Sequence, residues 1–409
     1  MTTIPAPETE STDIDPVPDL ADAVTDFYHY EQLLDADERD LLHRVRDFMR
    51  TEVHPLLLEY WSRAEFPQQI VPGMAELGLA GLPYQGNGCP GRSFLLDGMI
   101  AMELARIDCS VATFNGVHGG LAMGSIYLCG SDEQRERFLP AMSRYEKIGS
   151  FGLTEPGVGS GASGGLLTTA ERIGDEWILN GQKKWIGNAT FGDLTIIWAR
   201  DVADGRVKGF VVDNHSPGFD VQKQEHKFAL RIVQNGLITL TDVRVSEEDR
   251  LQNANSFADT AAVLRMTRAG VAWMAVGCAR GAYENALAYA KSREQFGRPI
   301  GGFQLVQDLL VRMLGNNTAS WGLCVRLSQL QDQGLAEDRH SSLAKAICTT
   351  RMRDTVGWAR ELMGGNGILL EHNVGRFVAD AEAIYSYEGT REMNTLIVGR
   401  ALTGQSAFV

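Results

Sequence analysis

The sequence predicts a mainly α protein with a central β domain, and three stretches of pattern carry that reading. From about 36 to 150 apolar residues recur at helical spacing; from 149 to about 250 the chain is β-branched and aromatic; from about 258 onward it is helical again. At 409 residues, two or three domains of roughly 150 residues each are expected. The expected division is a disordered acidic leader over 1–27, an N-terminal helical domain over 28–148, a central β domain over 149–257 and a C-terminal helical domain over 258–409.

Composition bounds the class. With 44% hydrophobic and 22% charged residues the chain is an ordinary globular one, which excludes disordered, collagen-like and low-complexity readings. No run of 18 apolar residues occurs, so no helical membrane span is expected. The first residues lack the basic start and apolar stretch of a signal peptide. The six cysteines form no Cys-x-x-Cys pair, as expected of reduced thiols. Together with an end, Ser406-Ala407-Phe408-Val409, that lacks a peroxisomal Ser-Lys-Leu, this points to the cytoplasm. The net charge of −14 is concentrated at one end: residues 1–38 hold eleven acids and no Lys or Arg, and the remaining 371 carry 38 basic against 41 acidic groups. Neither part offers the basic face needed for nucleic acid or an anionic membrane.

The elements follow in order. The leader is rich in Pro, Thr, Glu and Asp and has too little apolar surface to fold. Leu41, Leu42, Val45, Phe48, Met49 and Val53 follow the acidic cap region at Asp35 and Asp37 with helical spacing. Ser131-Asp132-Glu133-Gln134 reads as a capping box opening a helix that runs to about Pro140. In the β block, Gly174-Asp175, Asn180-Gly181, Asp204-Gly205 and Asn235-Gly236 read as turns, with strands at 194–198 and 209–212 between them. The segments 258–293, 303–332 and 338–363 read as long helices.

Several motifs invite chemistry and fail on context. The glycine-rich run from Gly157 to Gly164 does not join a strand to a helix, so it is no dinucleotide fingerprint. It remains a bare loop, or a loop whose free N–H groups meet another anionic ligand. No two histidines stand at the i, i+4 spacing of a helical zinc site, and no metal is expected. Gly161-Ala162-Ser163-Gly164-Gly165 has a nucleophile-elbow lettering but leads into β-type sequence. Two segments stay unexplained by structure alone: three glycines in Leu362-Met363-Gly364-Gly365-Asn366-Gly367, where one would stop a helix, and Glu388 between an aromatic and a glycine. Alone, Glu388 also reads as a loop acid or a first-turn acid favoured by the helix dipole.

Together, Phe151-Gly152-Leu153-Thr154-Glu155-Pro156, Lys184-Trp185-Ile186-Gly187-Asn188, Arg293-Glu294-Gln295-Phe296-Gly297, Leu362 to Gly367 and Tyr387-Glu388-Gly389-Thr390 are similar to the ordered signatures of FAD-dependent acyl-CoA dehydrogenases. The resemblance covers about 30–408. Within the family the chain most resembles glutaryl-CoA dehydrogenases and plant short-chain acyl-CoA oxidases, whose ending matches Gly399 to Gly404.

The resemblance implies an N-terminal helical domain, a middle β-barrel-like domain and a C-terminal four-helix bundle, assembled as a homotetramer built from dimers. It implies FAD as cofactor, an acyl-CoA substrate and an electron-transfer flavoprotein as acceptor, and it implies α,β-dehydrogenation with Glu388 as the base. For FAD it implies Phe151, Leu153, Thr154, Gly159, Ser160, Trp185, Ile186, Gly187 and Thr390, together with Arg293, Phe296, Gln304, Glu361, Leu362, Gly364 and Gly365 reaching a partner subunit's cofactor. For acyl-CoA it implies Ser160, Arg268, Tyr387 and Gly389; Arg268 reads equally as a helix-surface ion pair. A minority branch carries the base on the helix of 258–293, where this chain has Thr267, which cannot serve.

Two departures shape the expectation. Where glutaryl enzymes carry Arg and Ser to grip a distal carboxylate, this chain has Ala112 and Gly116, so a short uncharged acyl chain is expected. Where most dehydrogenases carry Thr or Ser beside flavin N5, this chain has Gly187, as the plant oxidases do. The missing side chain is expected to leave space there, which opens direct use of O₂ as an alternative. A catalytically silent acyl-CoA-binding or assembly protein is a further alternative, against which an intact Glu388 argues.

Overall fold

The computed structural model describes residues 13–20 and 22–407. Helices occupy both ends of the chain and a sheet the middle. Helix α1 (Ala36–Phe48) opens on Asp35, whose side chain accepts from the Glu38 N–H at 2.9 Å. Its apolar stripe Leu42, Val45 and Phe48 is buried, and Met49 and Val53 continue it in a wider turn. Helices α2 (Phe94–Ile107) and α3 (Cys109–Asn115) follow, then α4 (Asp132–Ser143), which has the expected capping box but runs through Pro140 to Ser143. A helix expected to stop near proline thus continues for another turn.

Seven strands make a curled sheet: β1 (Gly149–Gly152), β2 (Thr169–Ile173), β3 (Glu176–Gly187), β4 (Leu194–Asp201), β5 (Val207–Asp213), β6 (Phe219–Lys223) and β7 (Asn235–Ser246). The order β1-β4-β2-β3-β7-β6 has β5 on the other edge of β4. β1 and β2 both pair parallel with β4, one after the other along its length, which curls the sheet. Two expected turns lie inside strands instead. Gly181 sits in β3 at a bulge, where a Cβ would come within 2.7 Å of the Thr168 Cα; its glycine serves close approach, not reversal. Asn235-Gly236 opens β7.

Helix α5 (Phe257–Ser292) leads to a hairpin of β8 (Glu294–Gln295) and β9 (Arg298–Pro299), then α6 (Gln304–Asp332), α7 (Asp338–Leu362), α8 (Val374–Ser386) and α9 (Arg391–Thr403). One buried charge network ties the two helical regions. Glu103 on α2, fully buried, lies between Arg46 of α1 and Arg106, and Arg106 reaches Glu284 of α5 at 2.6 Å. The guanidinium groups outweigh burial and hold the Glu103 carboxyl well below its usual range. No helix among the described residues is long and apolar enough to cross a membrane.

The leader expectation needs correction over its described part. The Asp15 N–H donates to the Glu371 carbonyl at 2.7 Å, Asn373 Nδ2 donates to the Asp15 carbonyl, and Tyr283 donates to the Val24 carbonyl. Composition missed this because the few apolar side chains here, Ile14 and Val17, pack against the core while backbone groups and the Asp15 carboxylate, bonded to His372, fix the rest. Residues 1–12 lie outside the described residues.

Candidate active site

A cavity of about 1770 Å³ opens between the sheet, α5 and the loop joining α8 to α9. One small ligand typically fills roughly 300–1,000 Å³, so there is room for more than one. Phe151, Leu153, Thr154, Gly159, Ser160, Trp185, Ile186, Gly187, Arg268, Tyr387, Glu388, Gly389 and Thr390 all line it.

Glu388 sits in the α8–α9 loop at φ 54, in the left-handed region, with Gly389 at φ 81 behind it. A charged residue held in that region marks a site that overrides local preference. Its Oε2 accepts from the Thr267 hydroxyl at 3.0 Å, and Arg268 Nε donates to its carbonyl at 3.4 Å. Burial pushes its carboxyl above the usual range, while Arg268, the Thr267 bond and Lys345 pull the other way. Its N–H has no partner among the described residues. Glu388 is therefore a bonded, desolvated acid and not a solvated loop one, and Arg268 bonds its carbonyl in place of a surface carboxylate.

Trp185 is aimed by the sheet. The β3–β7 ladder breaks between Lys183 and Ile186, a bulge that turns the residue to φ 67. Gln224 accepts from its N–H at 2.9 Å, Asn235 Nδ2 donates to its carbonyl at 3.2 Å, and the residue stands 54% exposed on the cavity wall. The loop after β1 is closed by a buried pair, Lys183 Nζ on Glu155 Oε1 at 2.8 Å, with Glu155 also accepting from the Leu167 and Thr168 N–H groups. A Cβ added at Gly157, Gly159 or Gly161 along this loop, or at Gly164 in the short helix Ala162–Gly165 that ends it, would meet no atom within 4 Å, and none of the four takes a left-handed φ. Among the described residues nothing demands glycine at these four positions.

Gly187 corrects an expectation. A Cβ there would stand 3.2 Å from Val117 Cγ2, so Val117 already occupies most of the space the missing side chain was expected to leave.

Seven expected residues stay away from the cavity. Arg293, Phe296, Gln304, Glu361, Gly364 and Gly365 lie exposed on the surface, Phe296 at 93% and φ 53, while Leu362 is buried in the core. They fall on the β8–β9 hairpin with the start of α6, and on the turn after α7. Within that turn, Gly364 takes φ 59 as a helix stop and Gly367 packs against the Arg360 carbonyl; Gly365 meets nothing.

Sequence reasoning missed three contributors. Thr267, set aside as unable to act as base, donates to the Glu388 carboxylate. Lys345 and Asn394 are fully buried and bond the loop around Glu388. Lys345 lies in a Ser-Leu-Ala-Lys-Ala stretch that reads like any helix surface, and only burial identifies it.

Comparison with known proteins is concordant along the chain. Profiles described as "Acyl-CoA dehydrogenase, N-terminal domain", "middle domain" and "C-terminal domain" match residues 35–146, 150–243 and 257–403. An acyl-CoA dehydrogenase of Bacillus subtilis is 33% identical over 88% of this chain and 96% of its own. The caffeyl-CoA reductase–Etf complex subunit CarC of Acetobacterium woodii is 32% identical, over 88% and 96%. A glutaryl-CoA dehydrogenase of Mycobacterium smegmatis, solved in complex with FADH2, superposes with TM-score 0.91 at 35% identity, covering 95% of this chain and 100% of that one.

Proposed function

The chain belongs to the acyl-CoA dehydrogenase family, and on that premise we propose that it oxidises a short, uncharged acyl-CoA to the trans-2-enoyl-CoA. It is an oxidoreductase acting on CH–CH groups, and FAD is its cofactor. The residues fit that group: the glycines of the 157–164 loop suit a pyrophosphate approached by backbone N–H, and the half-exposed Trp185 indole suits a flavin face. When bound, FAD supplies the acceptor for the β hydride.

Glu388 carries the reading. A carboxylate of ordinary basicity is too weak for a thioester α proton; burial in the cavity raises it towards that task. The unpartnered Glu388 N–H is free to donate to the thioester oxygen, where negative charge grows as the proton leaves. Ala112 and Gly116 line the same cavity and offer no cation, which supports an uncharged acyl tail.

Electrons pass on to an electron-transfer flavoprotein, a reading supported by the relative named as a subunit of an Etf complex. The surface half of the site supports a homotetramer in which Arg293, Gln304 and the 361–365 turn reach a partner's FAD; exposed Phe296 and Leu305 border it. Arg293 suits a pyrophosphate because its planar fork donates two parallel bonds.

Turnover across an acyl-CoA panel, with a dye acceptor and separately in air, tests the whole. Butyryl-CoA oxidised with dye and only slowly in air is expected. Reoxidation by O₂ as fast as steady-state turnover would make the protein an oxidase, and no turnover would leave a binding protein.

A further inference from the structure

One lysine enters the site from behind. Lys345 on α7 is fully buried, and its Nζ donates to the carbonyls of Tyr385 and Gly389, both at 2.7 Å. Those carbonyls bracket Glu388 on either side. Asn394 of α9, also fully buried, donates from Nδ2 to the same Gly389 carbonyl at 2.9 Å and to that of Thr390 at 3.0 Å. Glu388 and Gly389 both take left-handed φ and belong to no helix or strand, so these bonds, with Arg268 Nε on the Glu388 carbonyl, hold the backbone that aims the carboxylate.

We propose that Lys345 is a positioning residue for proton abstraction: its ammonium pins the two carbonyls that flank Glu388, and its charge keeps the Glu388 carboxylate ionised over the substrate α-carbon. The inference rests on the reading of Glu388 as base.

Charge, not hydrogen bonding alone, is the point. Asn394 shows that a neutral amide suffices to hold a carbonyl here. Lys345 forms no ion pair with a carboxylate among the described residues, and an ammonium buried without one is costly. Such groups concentrate where a field has a task. The titratable and charged groups around the loop include Arg268 from α5, Lys345 from α7, Tyr387 beside Glu388, and Arg391 and Glu392 from α9, with Thr267 bonding the carboxylate. Burial lowers the Lys345 ammonium to about 8, against the pull of Glu388. Lys345 and Arg268 in turn draw Glu388 down.

The test compares FAD-loaded Lys345→Gln, Lys345→Arg and Glu388→Gln with the unaltered enzyme, reading FAD content, KM, and the pH profile of kcat with butyryl-CoA. Lys345→Gln should keep its FAD and a KM within about threefold, lose about tenfold or more in kcat, and show its acid limb at higher pH. Lys345→Arg, which keeps the charge, should keep the acid limb and recover part of kcat. A turning-over Glu388→Gln would defeat the base assignment itself. With Glu388→Gln silent, an unaltered kcat and acid limb in Lys345→Gln overturns only the role of Lys345. Loss of FAD in both lysine variants, or a fall in kcat with an unmoved acid limb, would make it a structural clamp and overturn the inference equally.

Discussion

The two halves of the site are built on different principles. Around Glu388 everything needed is inside one chain: the base, its hydroxyl partner Thr267, the guanidinium of Arg268 and the clamp on the loop all converge within bonding distance. The half that we propose from Arg293, Gln304 and the 361–365 turn is exposed and open, and its glycine Gly365 answers to nothing among the described residues of its own chain. A chemical half demands rigidity and burial, since a carboxylate must be desolvated to become basic. A half that binds a cofactor's charged end can be shared between subunits, because charge-assisted bonds form at a surface once a partner covers it.

The largest break in this comparison is expected at Glu388→Gln. The amide is nearly isosteric but takes no proton, so the loss falls on the chemical step while FAD and acyl-CoA remain bound. A sole base is worth about 10⁴-fold, the upper end for acid–base catalysis. Retention of more than about a tenth of the activity, measured as flavin bleaching by butyryl-CoA, would move the base elsewhere.

Next comes the acyl tail. A glutaryl carboxylate would lie in a cavity whose Ala112 and Gly116 offer no counter-charge, and whose wall includes Asp97, a carboxyl that burial has pushed up to about 7. An unpaired buried anion costs several kcal/mol, so glutaryl-CoA should be on the order of 10²-fold poorer in kcat/KM than butyryl-CoA. The double change Ala112→Arg with Gly116→Ser should narrow that ratio; a wild-type ratio near one would show that a cation elsewhere on the wall, Lys227 or Arg268, reaches the tail.

The surface half should break differently. Arg293→Gln removes a charged fork from the expected phosphate contact, worth about 1.5–3 kcal/mol for a bond to a charged group, or roughly 10–100-fold in FAD affinity. Released flavin should rise on dilution while the kcat of the FAD-saturated enzyme holds. A loss in kcat with tight FAD would instead put Arg293 at the chemistry.

How legible this was differed by half and by level. The order of helices, β block and helices was legible because apolar period and turn pairs report local burial, and those patterns extend over tens of residues. Asn180-Gly181 misled because Gly at a bulge, crowded by Thr168, carries the same letters as Gly in a turn. The cavity set was legible only through the motif resemblance: Trp185 and Glu388 owe their aim to positive φ, which no residue pattern encodes. Lys345 and Asn394 were illegible because a buried lysine and a solvated one look alike in a helix. Val117 beside Gly187 was illegible for the complementary reason, that space is a property of neighbours far away in sequence.

The smallest effect is the most diagnostic of the inner half. Thr267 donates to Glu388 Oε2 more strongly when the carboxylate is charged than when it is protonated, so the bond favours the ionised carboxylate and lowers its pKa. The base must be ionised to take the α proton, and activity therefore falls as pH drops through that pKa. Thr267→Val keeps the shape and removes the donor, so the carboxylate protonates sooner on acidification and the acid limb of kcat moves to higher pH. A bond to a charged group at the low end is worth about 1.5 kcal/mol, so the loss below the shifted limb should be roughly tenfold and should shrink as pH rises. The same substitution should leave FAD content and the effect of Arg293→Gln untouched, because nothing in the outer half depends on it. An equal loss at every pH would show that Thr267 holds the carboxylate in place without tuning its charge, which would leave Arg268 and Lys345 as the groups that oppose burial.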